Sequence, residues 1–283
     1  MASFTNFATL SYNGGTTNSN IVTGEILEAL TAVKTAVSAN YSAGDRITYA
    51  LSLVNTGTAA ITDYTVTDNL GGYTVGANTV YPLAYNAGTV RYYINGVLQT
   101  PPTVTAGPPL TVTGLTVPAG GNAVLIYETT ATPVAPLATG SSITNTATIT
   151  GGGLTNPITA QATVETANSA DLTISKALSP TTVTENGQIT YTFVISNTGN
   201  TEATATGNVV VTDTFAPILR NIAVTYNGTA WTEGTNYTYN AATGVFTTLA
   251  GQITVPAASF TQNTDGTFTV TPGTATLVIT GTV

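Results

Sequence analysis

The chain has 283 residues, five Lys+Arg against thirteen Asp+Glu for a net charge of −8, and neither Cys nor His. With no basic stripe to displace phosphate counterions, nucleic acid is excluded as a partner, and the missing Cys excludes disulfides, thiolate nucleophiles and Cys-based zinc sites. The missing His removes the usual general base and the Ser-His-Asp triad, leaving an enzyme only carboxylate chemistry of the glycosidase kind; a non-enzyme without cofactor or metal is expected.

The first stretch, Ser3-Phe-Thr-Asn-Phe-Ala-Thr-Leu-Ser-Tyr-Asn-Gly14, reads as a strand running into Asn-Gly turn chemistry, and the chain continues to Ile21-Val-Thr-Gly-Glu25. It lacks the basic start and apolar core of a signal peptide, so either the signal was removed or the protein is made without one. Leu27-Glu-Ala-Leu-Thr-Ala-Val33 passes locally for helix, but an internal repeat overrules that reading. The rest is Thr, Val, Ile and Tyr in short alternating runs such as Ile47-Thr-Tyr-Ala-Leu-Ser-Leu53 and Thr190-Tyr-Thr-Phe-Val-Ile195. Turn signals at Asn55-Thr-Gly57, Asn95-Gly96, Asn197-Thr-Gly199, Asn227-Gly228 and Asp265-Gly266 separate them. No apolar run approaches the ~20 residues of a membrane helix, so no membrane insertion is expected.

Residues 34–57 match 176–199 without a gap, and Tyr64-Thr-Val-Thr-Asp-Asn-Leu70 then meets Val209-Val-Val-Thr-Asp-Thr-Phe215. Pro118-Ala-Gly-Gly-Asn-Ala-Val-Leu-Ile126 matches Pro272-Gly-Thr-Ala-Thr-Leu-Val-Ile279. The first repeat then runs on through Ser142-Ile-Thr-Asn-Thr-Ala-Thr-Ile-Thr-Gly-Gly-Gly153 and Ile158-Thr-Ala-Gln-Ala-Thr-Val-Glu165, a closing hairpin. In this hairpin Gly151-Gly-Gly153 is a turn and no phosphate loop, because no helix follows. The second repeat stops without such a hairpin, and a near copy of it sits at the other end of the chain, in residues 3–25.

Lys, Gly-x-x-Ile-Thr-Tyr, Asn-Thr-Gly, Val-Thr-Asp and a late Thr-Asn-x-Ala-Thr, in that order, resemble the bacterial surface-protein repeat known as domain of unknown function eleven. The resemblance implies an all-β chain of two tandem immunoglobulin-like sandwiches in a cell-surface, adhesin-like protein. The two-repeat architecture is also similar to clostridial spore-appendage proteins, which are made in the mother cell. The expected domains are an N-terminal donor hairpin (1–26), a complete domain (27–168) and an incomplete one (169–283).

A sandwich without its last two strands exposes an apolar groove and unpaired edges, which invite donor-strand addition. Phe4, Phe7 or Ala8, and Leu10 are the candidate fillers, with the inward parity left open, and Asn6, Ile21, Leu277 and Ile279 complete the expected interface. The link between Glu25 and Lys34 spans at most ~28 Å, and a sandwich's first and last strands lie at opposite poles. The hairpin is therefore expected to close a second copy of the chain. Such a contact repeats head to tail into a homopolymer on the cell or spore surface, with an unknown partner at its base. The alternative is an adhesin binding sugars or host protein through the variable hairpins around Asn95-Gly96 and from Asn227 to Phe246. Trp231 and the tyrosines of Asn236-Tyr-Thr-Tyr239 read as packing residues or a sugar platform. Asp45, Asp63, Glu185 and Glu233 are too dispersed for a calcium loop.

The two lysines of the chain, Lys34 and Lys176, fall at the same repeat position. Each repeat also places an aspartate, Asp68 or Asp213, and the two hairpins carry Asn145 and Asn6. Lys, a carboxyl and Asn in an apolar core suit spontaneous isopeptide formation: burial favours the neutral amine and the protonated acid. The residue types resemble those of Gram-positive pilin and collagen-adhesin domains. The expected bonds are Lys34 to Asn145 within domain 1, with Asp68, and Lys176 to Asn6 of the next subunit, with Asp213. Against them stands a plain salt bridge between each Lys and its Asp.

Overall fold

A computed structural model describes residues 2–26 and 29–283, in which the regular secondary structure is strand apart from a short 3-10 turn at Ala205–Gly207. Met1, and Leu27 and Glu28 at the expected start of domain 1, lie outside the described residues. The chain divides into two compact units. Unit 1 runs to Ala135 and includes Ser142–Glu165, while unit 2 takes Pro136–Ser141 and Thr166–Val283. The early segment joins unit 2 through polar contacts: Asn200 donates to the Leu137 and Ala167 carbonyls, and the Thr139 hydroxyl donates to the Asn200 carbonyl.

Unit 1 is an immunoglobulin-like sandwich of two six-stranded antiparallel sheets. In the first, the strand Leu30–Ala36 forms one edge and pairs with Arg46–Asn55, which pairs with Asn122–Ala131. In the second, Ile61–Asp68 lies between Leu110–Val117 and Ser142–Gly151, and the latter pairs onward with Ile158–Thr166. Strict alternation in these strands sends Tyr49, Leu51, Leu53, Tyr64, Val66, Leu125, Tyr127, Ile143, Ala147 and Ile149 into one core, all at most 2% exposed.

Unit 2 repeats the first sheet: Leu172–Ser179, Gln188–Asn197 and Gly273–Thr282 pair in that order, followed by Arg220–Tyr226 and Thr229–Trp231. Its second sheet has three strands, with Thr212–Thr214 at the edge beside Val245–Thr248 and Tyr237–Asn240. Thr212–Thr214 is the counterpart of Ile61–Asp68, and the side on which unit 1 adds Ser142–Gly151 is open among the described residues. An asparagine clamp is common to both units. Asn55 donates to the Ala59 and Pro118 carbonyls and accepts from the Gly57 N–H, as Asn197 does with Thr201, Pro256 and Gly199.

Residues 2–26 form a hairpin whose strands, among the described residues, pair with one another alone: Ala2–Asn6 with Val22–Ile26, and Thr9–Tyr12 with Gly15–Asn18. Asn13 and Gly14 both have positive φ, 47° and 81°, as a two-residue hairpin turn of primed type requires. Ser3 stands opposite Glu25, as Ser142 stands opposite Glu165.

Candidate functional site

The lysine strand and the aspartate strand of each unit lie on opposite sheets, and alternation points one side chain of each into the space between. In unit 1, Lys34 Nζ donates to Asp68 Oδ2 at 2.5 Å, with the two side chains 0% and 1% exposed. The ammonium also lies over the rings of Tyr49 and Tyr127, 4.8 and 5.8 Å from their centroids. The Tyr127 hydroxyl donates to the same Asp68 oxygen, while Asp68 Oδ1 accepts the Leu70 N–H. Burial pulls Lys34 down to about 8, against the upward pull of Asp68. Burial, and then the Asp68 charge, push Tyr49 and Tyr127 above the ordinary phenol range.

Asn145 belongs to the strand next to Asp68. Ala147 stands opposite Asp68, and Asn145 is two residues along on the same face. Its carboxamide is fully buried beside the hydroxyls of Tyr49 and Tyr127, close enough to act on both phenols as a hydrogen-bonding neighbour but outside close hydrogen-bond geometry. Unit 1 therefore gathers an amine, a carboxyl and a buried amide in one space. That set can undergo aminolysis: the amine attacks the amide carbon while the carboxyl relays protons.

Unit 2 repeats two of the three groups in a different setting. Lys176 is ion-paired with Asp213 and lies over the rings of Tyr191, Phe193 and Phe215, 4.5, 5.4 and 5.5 Å from their centroids. Its side chain is 40% exposed and that of Asp213 18%. Among the described residues no asparagine of unit 2 stands at the position of Asn145, since no strand pairs with the open side of Thr212–Thr214. Ile174 and Leu178, on the Lys176 face of the lysine strand, are 55% and 38% exposed, whereas their counterparts in unit 1, Ala32 and Ala36, are half-buried.

The other expected interface residues are distributed unevenly. Phe4, Phe7, Leu10 and Ile21 are exposed on the hairpin, as are Asn6 and Ala8. Leu277 and Ile279 are fully buried in the core of unit 2. Sequence reasoning passed over Ile174, Leu178 and Tyr127. The alternation Leu172-x-Ile174-x-Lys176-x-Leu178 marks the first two. Tyr127 directly follows the repeated stretch ending at Ile126, and it pairs in register with Tyr49.

No family model matches the chain, and no curated protein matches it. Solved structures do. The N-terminal domain of a Streptococcus gordonii adhesin is similar at 14% identity with a TM-score of 0.36, over 48% of this chain and 32% of its own. The pilus backbone of Streptococcus pneumoniae is similar at 13% identity and a TM-score of 0.36, over 86% of this chain and 55% of its own. The major pilin subunit of Bacillus cereus is similar at 14% identity and a TM-score of 0.35, over 96% of this chain and 73% of its own. The chain thus spans about a third of the adhesin chain and about half of the pneumococcal one.

Proposed function

We propose that the protein is the structural subunit of a bacterial surface filament, polymerised head to tail by insertion of the residue 2–26 hairpin into unit 2 of the next copy. One observation carries this reading. The open side of Thr212–Thr214 lies where unit 1 holds Ser142–Gly151 and Ile158–Thr166, and the hairpin repeats the sequence of that pair and, over residues 3–6 with 22–25, its register. An added hairpin would satisfy the free edge with main-chain hydrogen bonds and cover Ile174 and Leu178.

Unit 1 also supplies the parity. Ile143, Asn145, Ala147 and Ile149 face its core, and Phe4, Asn6, Ala8 and Leu10 are their counterparts in the hairpin. Phe4 stands opposite Gly24, and a Cβ on Gly24 would lie only 2.4 Å from the Phe4 ring. A large and an empty side chain thereby take the place of Ile143 and Val164. Phe7 falls on the outward face, at the position of Thr146.

Within unit 1 the same reading includes a Lys34–Asn145 isopeptide bond with Asp68 as proton relay, supported by the burial of the carboxamide and its place beside the Asp68 strand. The repeat motifs favour the domain of unknown function eleven family, and a spore or cell surface as the location. The pilins among the similar solved structures accord with a self-polymerising subunit. An adhesin of this build has no need of an open edge or of a matching hairpin, so the filament reading is preferred to it.

The test is removal of residues 1–26. The full chain should form fibres under negative-stain electron microscopy, and the truncated chain should remain as folded single subunits. A synthetic peptide of residues 3–26 should bind the truncated chain and raise the unfolding temperature of unit 2 in a concentration-dependent way. Fibres of normal width from the truncated chain would refute the reading.

A further inference from the structure

Resting on that filament reading, we infer that Lys176 and Asp213 form a crosslinking site left incomplete in the free subunit, which Asn6 of a second copy completes, so that each docking event welds itself covalently. The argument is positional. Asp68 stands opposite Ala147 with Asn145 two residues along, and Asp213 is the counterpart of Asp68. Seating the hairpin in the same register sets Ala8 opposite Asp213 and Asn6 two residues along, on the face that Lys176 occupies.

The difference between the two units gives the site its gate. Lys34 and Asp68 are sealed as soon as unit 1 folds, and their asparagine is in the same unit. Lys176 remains 40% exposed in the open unit and held as an ion pair, and Asn6 lies exposed on the hairpin. Water then solvates both ions, and no electrophile is at hand. Docking changes both conditions at once: it brings the amide and removes the water, which favours the neutral amine and the neutral acid over the ion pair. The rings of Tyr191, Phe193 and Phe215 already form the apolar walls around the amine.

The step balances without any co-reactant. The Lys176 ammonium passes a proton to the Asp213 carboxylate, and the neutral Nζ attacks Asn6 Cγ. Asp213 then delivers its proton to Nδ2 while it takes one from the attacking nitrogen. The Cγ–Nδ2 bond breaks, ammonia leaves, and Asp213 surrenders its extra proton to it, so ammonium is the by-product. An Nζ–Cγ amide replaces the ion pair.

The experiment uses the full chain. Fibre growth is followed by light scattering, and covalent linkage by denaturing gel and mass spectrometry after boiling in detergent. Scattering should rise first. Ladders should trail it, with each link about 17 Da lighter than the sum of its parts because ammonia is lost. Asn6→Ala and Lys176→Arg should still form fibres, the arginine keeping its charge beside Asp213, but both should dissolve to single chains in detergent. Asp213→Asn should slow laddering by about 10²–10⁴-fold, the usual contribution of a positioned acid–base group. Acylation with an N-hydroxysuccinimide ester before assembly should label Lys176 and spare Lys34; in mature fibres Lys176 should no longer label. Ladders from Asn6→Ala fibres, or wild-type fibres that dissolve wholly to full-mass chains, would overturn the crosslink and leave the filament reading intact. Failure of the wild-type chain to form fibres would overturn the filament reading itself.

Discussion

Replacing Asn145 by Ala separates a crosslinked Lys34 from a free one. The carboxamide has no close hydrogen bond beyond its approach to the Tyr49 and Tyr127 hydroxyls, so its removal leaves the contacts among Lys34, Asp68 and Tyr127 in place. In the variant the Lys34 amine titrates, at about 8 in the folded state against 10.5 when unperturbed. A group with a folded pKa below its unfolded one makes the folded state bind fewer protons between the two values. Stability therefore rises with pH across that interval, and the cost of the buried charge is fully present below about 8. The drop from 10.5 to about 8, at about 1.4 kcal/mol per pH unit, corresponds to on the order of 3 kcal/mol. Tyr49 and Tyr127 act oppositely once the unfolded phenols ionise, because burial raises both. The clean window is therefore from about pH 8 to about pH 10.

On the proposed crosslink the wild-type amine would be an amide that does not titrate, so unit 1 should show none of this rise. Loss of the bond also reopens a loop from residue 34 to residue 145. On the chain-entropy scale for cross-links this lowers the variant's whole curve by up to about 5 kcal/mol. The slope is the diagnostic and the offset is secondary. Pulse proteolysis in urea from pH 7 to pH 10, reading the fragment that holds residues 30–165, measures it. A wild-type protein with the same rise as Asn145→Ala would show that Lys34 is a free amine. A flat variant would show that burial of Lys34 costs nothing, and the chemistry built on it would fall.

Two further outcomes follow from the geometry. Asn55→Ala should orphan two partly buried carbonyls and the Gly57 N–H and cost unit 1 about 1–3 kcal/mol; Asn197→Ala should cost unit 2 as much, each visible as a lowered transition of one unit alone in calorimetry. Gly24→Val should drive the Phe4 ring, 2.4 Å from the new Cβ, off its seat and slow fibre growth by roughly tenfold or more, a loss of about 1.4 kcal/mol in docking, while both unfolding transitions stay put.

Much of the fold was legible because strand side chains repeat every two residues and the repeats align without a gap across the lysine strand. That is why Lys34 and Asp68 meet, as do Lys176 and Asp213, although each pair is more than thirty residues apart in the chain. Other features were hidden because they depend on what lies across the sheet. The Tyr127 hydroxyl reaches Asp68 only through pairing of Asn122–Ala131 with Arg46–Asn55, and unit 2 has Ile279 at that position, opposite Tyr191. Leu277 and Ile279, expected at the interface, lie on Gly273–Thr282, an interior strand with a neighbour on each side, and both are buried in the core of unit 2. Assignment of Pro136–Ser141 to unit 2 rests on Asn200 contacts that no local pattern announces.

The brevity of Thr212–Thr214 has a physical reading of its own. Its counterpart in unit 1 runs for eight residues with a neighbour on each side, whereas this strand has three residues and one neighbour. A long, flat, apolar edge would pair with any strand it met, and a short one blunts that hazard. Residues 209–211 precede it as Val-Val-Val, with Val210 exposed and Val211 buried, which is strand-forming sequence without a second ladder partner. A hairpin seated beside Asp213 would supply that partner and allow strand pairing to extend toward Val209, as it extends from Asp68 back to Tyr64 along Ser142–Gly151. In the proposed filament the acceptor would thus be too short to recruit strands indiscriminately, while the hairpin would carry the register, the fillers and the asparagine that a copy of the same chain presents together. Selectivity for self then comes from matching several features at once, with no single strong contact required.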